Sequence, residues 1–553
     1  MPDYTSVHDR CCHRSTSMLS AMKSKPRGEV IAVVLLFSAM LCQAQTVSPK
    51  RPCTQLLEFS AAGVELSKAE SVPAADAPYC LVQGTINKRI GAGGKQFGIG
   101  FEMRLPDVWT ERFLFQGGGG MDGVVRPATG GIPISGSTAL PALARGFAVA
   151  TTDSGHQGQG GLMGAAADAS FGIDQQARVD QAYGGFIAVT ELARQVIINY
   201  YGQSWKKSYF MGCSNGGRQA LLAAQRFPLT FDGVMSVAPA ARVGTATISS
   251  VWDTIAFSEI APKDAAGRPI LSKAFSNSDL TLVANAVARV CDSKDGVKDG
   301  LIFNTKECHF DPAELACKDR KTDTCLSANQ VAALKKVFSG PKNSRGEALY
   351  SDWPYDTGIA APGWRALKLG TSETATPNSA DVTLMFSGLK GFFFTPPDPQ
   401  FEPMKFNFDT DPARLNDTNV LQDSLLTFLS TFSARGGKLM LIHGMSDPFF
   451  SAYDTARYYE RVVRDNGGLD KTMSWVRYFE VPGMNHCGGG PALEDFDPLT
   501  ALVEWTEKDQ APEHMVAKGK LFPGVSRPVC AYPEFPHYRG TSSQDDAANF
   551  ECK

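Results

Sequence analysis

The segment at residues 208–217 constrains the fold of this chain more than any other. Residues 208–211 predict a short strand, the next five form a Gly-x-Ser-x-Gly motif centred on Ser214, and residues 217–227 predict a helix. A strand that turns sharply through a serine into a helix is a nucleophile elbow, in which glycines allow close backbone approach. Such a motif also arises by chance in a glycine-rich chain, but the strand before it and the helix after it favour Ser214 as a nucleophile.

A serine nucleophile needs a histidine base and a carboxylate that orients the base, in the chain order serine, acid, histidine. His486 lies in a glycine-rich loop directly after a predicted strand at 476–481. Asp447 follows the preceding predicted strand, whereas Asp153 follows a strand that comes before the serine. We therefore predict a catalytic triad of Ser214, Asp447 and His486.

The other histidines have weaker positions. His443 ends a predicted strand, which is typical of a structural histidine, and His156 is expected in a loop, with a pocket position as the alternative. Three further histidines that follow the elbow lie in polar or irregular stretches, where we expect surface residues: His309, His514 and His537.

Strands and helices alternate along most of the chain, which predicts βαβ units and a mostly parallel sheet. The alternation begins near residue 98, stops near 241 at a loop-rich stretch, and resumes near 426. The predicted class is α/β, an α/β-hydrolase core with a large inserted lid domain. The predicted divisions are a signal peptide with an upstream segment (1–44), the first part of the core (45–240), the lid (241–425) and the second part of the core (426–553).

The amino terminus predicts export. Three basic residues precede an apolar run at 30–41, which has the length of a signal-peptide core and is too short for a membrane span. Cleavage is expected after Ala44, and no later stretch has 18 consecutive apolar residues. We therefore expect a secreted or periplasmic protein with no membrane span in the mature chain.

Ten cysteines follow residue 44, and an even number in an exported chain predicts disulfides. Sequence alone does not fix their pairing. Short separations favour four pairs and leave Cys213 and Cys487, which adjoin the predicted nucleophile and base. If Ser214 and His486 are within hydrogen-bond reach, these two cysteines can meet the distance limits of a disulfide. The four short pairs are Cys53–Cys80, Cys291–Cys308, Cys317–Cys325 and Cys530–Cys552.

Ester hydrolysis by a serine also requires an oxyanion hole of two backbone N–H groups. Asn215, directly after the nucleophile, is the first candidate donor. The second is expected in the polyglycine run at 117–120, which follows a predicted strand, with Gly120 as the donor. The alternative for this run is a flexible loop.

An acidic loop at 291–301 carries carboxylates at regular offsets. Hard oxygen ligands around a sharp, glycine-containing turn suit Ca²⁺, with backbone carbonyls completing the shell. The spacing of the carboxylates differs from that of an EF-hand. It is equally compatible with a calcium site and with an acidic surface loop that binds no metal. The candidate ligands are Asp292, Asp295 and Asp299, with the carbonyls of Val297 and Leu301.

The charge pattern indicates which partners to exclude. The net charge is −3 and no Lys/Arg stripe is present, so nothing favours nucleic-acid binding. We likewise expect no organic cofactor, because the predicted triad needs none.

Three motifs together resemble the tannase and feruloyl esterase family. They are Gly212-Cys213-Ser214-x-Gly216-Gly217-Arg218, Gly444-Met-Ser-Asp447 and Pro482-Gly-Met-Asn-His486-Cys487. The resemblance runs from about Cys53 to Cys552. It implies a disulfide between the cysteines beside the serine and the histidine, the full set of five disulfides, and a structural calcium ion in the lid.

The resemblance also implies a substrate pocket. Gly120 and Asn215 align with oxyanion donors, although a relative has Glu at the latter position. Where terephthalate monoester hydrolases of the family carry an arginine that binds the substrate carboxylate, this chain has Ala380 or Asp381. The predicted pocket residues are Phe450, which aligns with an aromatic pocket residue, Trp364 and Phe386 of the lid, and Leu367, which replaces a lid tryptophan.

These expectations describe an exported serine esterase that cleaves small aromatic esters of the hydroxycinnamoyl or galloyl type through an acyl-enzyme. Hydrolysis of a terephthalate monoester is the alternative activity. A non-catalytic α/β-hydrolase that binds phenolics is the alternative from another class, and the intact Ser, Asp and His set argues against it.

Overall fold

A nine-stranded mixed sheet forms the centre of the structure, a computed structural model that describes residues 46–75, 77–540 and 542–553. The strand order is β1-β2-β3-β5-β4-β6-β7-β8-β9. The strands of this sheet are β1 (Val64–Val72), β2 (Tyr79–Ile90), β3 (Gln96–Pro106), β4 (Arg112–Gln116), β5 (Ala148–Thr152), β6 (Lys207–Cys213), β7 (Gly233–Val237), β8 (Lys438–Gly444) and β9 (Val476–Val481). Two small hairpins follow, from β10 (His514–Gly519) with β11 (Phe522–Cys530) and β12 (Pro536–Tyr538) with β13 (Phe550–Cys552).

The sheet changes from antiparallel to parallel along its width. β1, β2 and β3 pair antiparallel, and β3 pairs antiparallel with β5. From β5 through β4 and on to β9 every pairing is parallel. All residues of β5, β7 and β8 are buried, as expected for strands covered on both faces. The predicted α/β class with a mostly parallel sheet is confirmed from β5 to β9, whereas the antiparallel β1 and β2 were not predicted.

Alternate residues of each strand pack against helices on opposite faces of the sheet. Phe113 and Phe210 lie in one buried cluster, together with residues of three helices, α3 (Gly185–Tyr201), α4 (Asn215–Arg226) and α12 (Ala452–Asp465). Leu114 and Met211 lie in another cluster, together with residues of α14 (Pro498–Lys508). The helices are α1 (Gly161–Ala167), α2 (Gln175–Val179), α3 (Gly185–Tyr201), α4 (Asn215–Arg226), α5 (Val243–Ile260), α6 (Asn277–Cys291), α7 (Ala328–Phe338), α8 (Pro362–Lys368), α9 (Phe386–Gly388), α10 (Asn416–Gln422), α11 (Ser430–Ala434), α12 (Ala452–Asp465), α13 (Leu469–Thr472) and α14 (Pro498–Lys508).

The insertion lies between β7 and β8 and carries α5 to α11. Residues 238–437 contribute no strand to the main sheet in the described part of the chain. Trp364 of the insertion shares a buried cluster with Phe449 and Phe450, which follow β8. Since the described residues from 46 onward form one compact unit, the division at 240 and 425 stays a prediction.

Five disulfides join the ten cysteines: Cys53–Cys80, Cys213–Cys487, Cys291–Cys308, Cys317–Cys325 and Cys530–Cys552. The predicted pairings are confirmed. Across the described ranges no helix combines the length and apolarity needed to cross a membrane. The predicted signal peptide at 1–44 lies outside the described residues.

Candidate active site

Ser214 lies at the sharp turn between β6 and α4. Its backbone has φ 62° and ψ −123°, a positive φ that is strained for any residue except glycine. The flanking glycines are required by space: a Cβ on Gly212 would lie 2.6 Å from the backbone of Gly216, and one on Gly217 would lie 2.5 Å from a carbonyl of β7. The strand, the turn and the helix therefore form the nucleophile elbow that the motif predicts.

Asp447 and His486 meet at the carboxyl ends of β8 and β9. His486 Nδ1 lies 2.7 Å from Asp447 Oδ2. The other carboxylate oxygen, Oδ1, accepts the backbone N–H groups of Phe449 at 2.7 Å and Phe450 at 3.2 Å. Burial alone would raise the pKa of Asp447, but the charge of His486 and hydrogen bonds from two histidines hold that pKa below its usual range.

A second histidine contacts the same carboxylate. His443, at the end of β8, is fully buried, and its Nε2 lies 3.2 Å from Asp447 Oδ2 and 3.0 Å from the carbonyl oxygen of Phe450. The sequence predicts a structural histidine at the end of this strand, but it did not predict the contact of His443 with Asp447. The spacing of four residues between His443 and Asp447 is the feature of the sequence that could have indicated this contact. The spacing brings the two side chains together only because the chain turns back after β8.

The disulfide between Cys213 and Cys487 joins the elbow to the histidine loop. Its α-carbons lie 5.9 Å apart across a sequence separation of 274 residues. Ser214 follows one cysteine and His486 precedes the other, so the bond brings the segments that carry these two residues together. The hydrogen bonds of the described residues include none from Ser214 Oγ, and such catalytic contacts often tighten only when substrate binds.

The polyglycine run lies directly against the elbow. A Cβ on Gly117 would lie 2.8 Å from the α-carbon of Gly216, and one on Gly216 would lie 2.7 Å from the carbonyl oxygen of Gly118. Asn215 begins α4, where backbone N–H groups have no helical partner. Gly120 has φ 61°. The two predicted oxyanion donors therefore lie on segments that touch each other beside Ser214.

A buried polar network supports these two segments. The Asn215 amide donates to Asp122 Oδ1, and its carbonyl oxygen accepts from Arg218 Nε at 2.9 Å. Gln219 donates to the other oxygen of Asp122 at 3.1 Å. Burial raises the pKa of Asp122 and lowers that of Arg218 to about 10, so Arg218 stays charged at neutral pH. Arg218 is part of the sequence motif around Ser214, but no role of Arg218 or Asp122 was predicted from the sequence.

Aromatic residues surround the histidine. The ring centroids of Phe449 and Phe450 lie 5.3 and 5.4 Å from that of His486. The backbone N–H of Trp364 donates to Asn485, the residue before the histidine, at 3.2 Å. Leu367 is half-buried at the edge of the same apolar cluster. Trp364 of the lid therefore lies next to the loop that carries His486.

Phe386 lies elsewhere in the lid. It packs in a second buried cluster that includes Met121, the residue after Gly120, and Phe392. The predicted pocket residues thus fall into two groups, one beside the histidine loop and one beside the glycine loop.

A small cavity lies beside Asp447. Its lining includes Asp447, Trp364 and Lys368 but neither Ser214 nor His486, so it is not the space around the nucleophile. Lys368 Nζ is buried 2.5 Å from Asp253 and 3.3 Å from Asp381. Burial lowers the pKa of Lys368, but these two carboxylates outweigh it and raise that pKa overall.

The acidic loop folds around its own backbone. Val297 donates its N–H to Asp295 Oδ1 at 3.1 Å, Leu301 donates to Asp299 Oδ1 at 3.1 Å, and Asp299 donates to Asp292 Oδ1 at 3.2 Å. Burial raises the pKa of Asp295 to about 7, and the charges of Asp299 and Asp292 add to the effect. Three or more His, Cys, Asp or Glu side chains do not converge as a ready metal cluster anywhere in the described ranges.

Comparisons with known proteins agree with this geometry. The profile of a family described as "Tannase and feruloyl esterase" matches residues 80–553. The chain is 38% identical over 534 residues to the mono(2-hydroxyethyl) terephthalate hydrolase of Piscinibacter sakaiensis, covering 89% of this chain and 87% of the relative. It is 28% identical to a probable feruloyl esterase of Arthroderma benhamiae, covering 81% of each. The crystal structure of feruloyl esterase B from Aspergillus oryzae has a TM-score of 0.74 at 24% identity, covering 91% of this chain and 99% of that one; this likeness shows the α/β-hydrolase fold.

Proposed function

Because this chain belongs to the tannase and feruloyl esterase family and is a carboxylic ester hydrolase, we propose that it is an exported serine esterase for small aromatic esters. The reaction proceeds through an acyl-enzyme on Ser214. The observation that carries the proposal is the 2.7 Å contact between His486 and Asp447. The disulfide between Cys213 and Cys487, which adjoin Ser214 and His486, supports it.

The roles of the three residues follow from hydrogen bonding. Asp447 accepts from Nδ1 of His486, which leaves Nε2 unprotonated and able to accept the hydroxyl proton of Ser214. The serine oxygen attacks the ester carbonyl, and the N–H groups of Asn215 and Gly120 stabilise the oxyanion. His486 returns its proton to the departing alcohol. Water, deprotonated by the same histidine, then releases the acid.

The substrate class is inferred from the aromatic residues near His486. Phe449 and Phe450, which follow β8, pack against the His486 ring, and Trp364 of the lid contacts the residue before it; this aromatic environment favours a flat aromatic acyl group. Lys368 is already paired with Asp253 and Asp381, so it offers no free charge to a substrate carboxylate. These contacts favour a neutral hydroxycinnamoyl or galloyl ester. The 38% identity to a mono(2-hydroxyethyl) terephthalate hydrolase supports a terephthalate monoester as the second candidate.

Export is supported by the five disulfides, which persist in oxidising compartments. The predicted signal peptide at 1–44 is the segment that would direct it. If the protein is exported, the mature chain should accumulate outside the cytoplasm. Fractionation of cells that express it measures this. A mature protein found reduced in the cytoplasm would contradict this part of the proposal.

We also propose that the acidic loop holds a structural Ca²⁺. The proposal rests on the chemistry of the loop, whose carboxylate and backbone carbonyl oxygens are the hard ligands that Ca²⁺ takes. Asp292, Asp295 and Asp299 would hold the ion, with carbonyls of Val297 and Leu301, and the ion would supply stability to the lid.

Calcium binding is tested by thermal unfolding of EDTA-treated protein. Added Ca²⁺ is expected to raise Tm by several degrees, and Asp295→Asn is expected to remove that rise. The exposed pair Lys405 and Glu402 provides a control, since Glu402→Gln should leave the rise unchanged. An unchanged Tm on adding Ca²⁺ to the wild type would contradict calcium.

The esterase proposal is tested with purified mature protein and its Ser214→Ala variant on a panel of esters. The panel contains methyl ferulate, methyl gallate, a terephthalate monoester and p-nitrophenyl acetate. We expect turnover of ferulate or gallate that disappears in the variant. Preference for the terephthalate monoester would favour the second candidate, and no Ser214-dependent turnover by folded protein would favour a binding protein.

A further inference from the structure

Asp447 receives four hydrogen bonds, which fill the acceptor capacity of a carboxylate. Two come from the backbone N–H groups of Phe449 and Phe450 to Oδ1. The other two reach Oδ2 from the histidines, at 2.7 Å for His486 and 3.2 Å for His443. Only the His486 contact belongs to the triad, so the His443 contact needs its own explanation.

The neighbours of His443 fix its tautomer. Its Nε2 lies 3.0 Å from the carbonyl oxygen of Phe450, an atom that can only accept, so Nε2 carries a proton. Its Nδ1 lies 2.8 Å from the hydroxyl of Thr455 on α12, which can donate to it. The same Nε2–H therefore points at both the Phe450 carbonyl and Asp447 Oδ2. His443 is a hydrogen-bond donor that no proton transfer in the reaction requires.

We propose that His443 is a positioning residue, which holds the Asp447 carboxylate in the rotamer that orients His486. The inference rests on the proposed triad. His443 is fully buried, so it touches no substrate. Its Nε2–H bridges Oδ2 to the backbone carbonyl of Phe450, three residues along the same loop. Rotation of the carboxylate about its Cβ–Cγ bond would break this contact together with the one to His486.

The carboxylate also needs a donor at this place because it is buried. A buried charge with an unfilled acceptor turns toward other donors or loses its charge. The carbonyl of Phe450 keeps the proton on Nε2 of His443, and this nitrogen also lies within hydrogen-bond distance of Asp447 Oδ2. His443 thereby orients the Asp447 carboxylate, just as Asp447 orients the His486 ring.

The test compares three substitutions with wild type on the best ester of the panel. His443→Leu removes the donor and keeps an apolar side chain of similar size, and we expect kcat to fall about 10- to 100-fold, the scale of a misplaced catalytic group. KM should stay within about twofold, because the ring is remote from the substrate. His443→Gln restores an N–H donor and is expected to recover kcat to within about fivefold of wild type.

Thr455→Val is the matched control. It removes a buried hydrogen bond to the same ring but leaves the Nε2–H that points at Asp447. Its Tm is expected to fall while kcat stays within about threefold of wild type. If the role of His443 were only structural, His443→Leu and Thr455→Val would both lower Tm and neither would lower kcat selectively.

A double-mutant cycle with Asp447→Ala isolates the route of the effect. In that background there is no carboxylate to position, so His443→Leu should change the residual kcat by less than about twofold. An equal loss of kcat in both backgrounds would overturn the proposal, as would a wild-type kcat in folded His443→Leu protein. If instead Ser214→Ala and Asp447→Ala keep full turnover, the proposed triad itself fails, and that outcome is distinct from a failure of His443 alone.

Discussion

The core and the insertion contribute to the site in different ways. The core supplies the proposed reacting groups on short loops after β6, β8 and β9, and each group is held by neighbours within a few residues or by one disulfide. The insertion between β7 and β8 supplies Trp364 and a buried ion cluster in which Lys368 pairs with Asp381 and with Asp253, 115 residues before it. The proposed chemistry therefore depends on local turns fixed by rigid strands, whereas the insertion depends on long-range packing.

The largest expected effect lies on the core side. Asp447→Asn should lower kcat about 10⁴-fold, because an amide can donate to His486 Nδ1 and favour the wrong tautomer. Steady-state kinetics on the best ester measures it. The matched change in the insertion, Asp253→Asn, should lower Tm while kcat falls less than about tenfold. Equal losses of kcat in both variants would remove the contrast between the two regions.

The insertion should respond most strongly to loss of its buried cation. Lys368→Met leaves two buried carboxylates without a cation to pair with, and we expect the free energy of unfolding to fall by about 3–5 kcal/mol. Denaturant titration measures the change. The control is Lys405→Met, whose exposed pair with Glu402 should contribute less than about 1 kcal/mol. A small effect at Lys368 would mean that the ion cluster does not stabilise the insertion.

Two disulfides offer the next comparison. Removal of Cys213 and Cys487 by alanine should lower kcat about 10²-fold, because the bond sets the separation of nucleophile and base. The free energy of unfolding should also fall by about 3 kcal/mol. Removal of Cys317 and Cys325, in the insertion, should leave kcat unchanged. Comparable kcat losses from both pairs would show that the disulfide at the site has no special role.

The smallest expected effect concerns His156, where the core meets the insertion. Its ring stacks on Phe171, which contacts Phe392 of the insertion. Burial lowers the pKa of His156 to about 4, below the usual value near 6.5. As pH falls, His156 is therefore protonated in the unfolded chain before it is protonated in the folded protein. The free energy of unfolding decreases as pH falls from 6.5 toward 4.

Substitution of His156 should flatten that loss. Between pH 7 and pH 4 the wild type should lose about 2–3 kcal/mol more stability than His156→Leu, from a shift of about 1.4 kcal/mol per pKa unit. Denaturant titrations at both pH values measure the difference. The exposed His309 is the control, and His309→Leu should follow the wild type. Identical pH dependence in all three proteins would contradict the burial argument.

Local patterns predicted the core well and the insertion poorly. The strand at 476–481 has the predicted bounds, and the helix predicted at 217–227 is observed as α4 (Asn215–Arg226), because their periodicity depends on neighbours in sequence. The contact of His443 with Asp447 was missed although both residues were weighed, since it requires the loop after β8 to turn back on itself. Partners such as Lys368 and Asp253 are 115 residues apart, and no local pattern identifies such a pair.

The central claim is that Ser214 is a nucleophile activated by His486 and Asp447. The most direct measurement is covalent labelling of the folded protein with a fluorophosphonate, followed by mass spectrometry of its peptides. The account predicts one equivalent of label on the peptide containing Ser214, with labelling lost in Ser214→Ala and slowed at least about 10³-fold in His486→Ala. An active enzyme that takes no label at Ser214, or whose labelling rate is unchanged in His486→Ala, would contradict it.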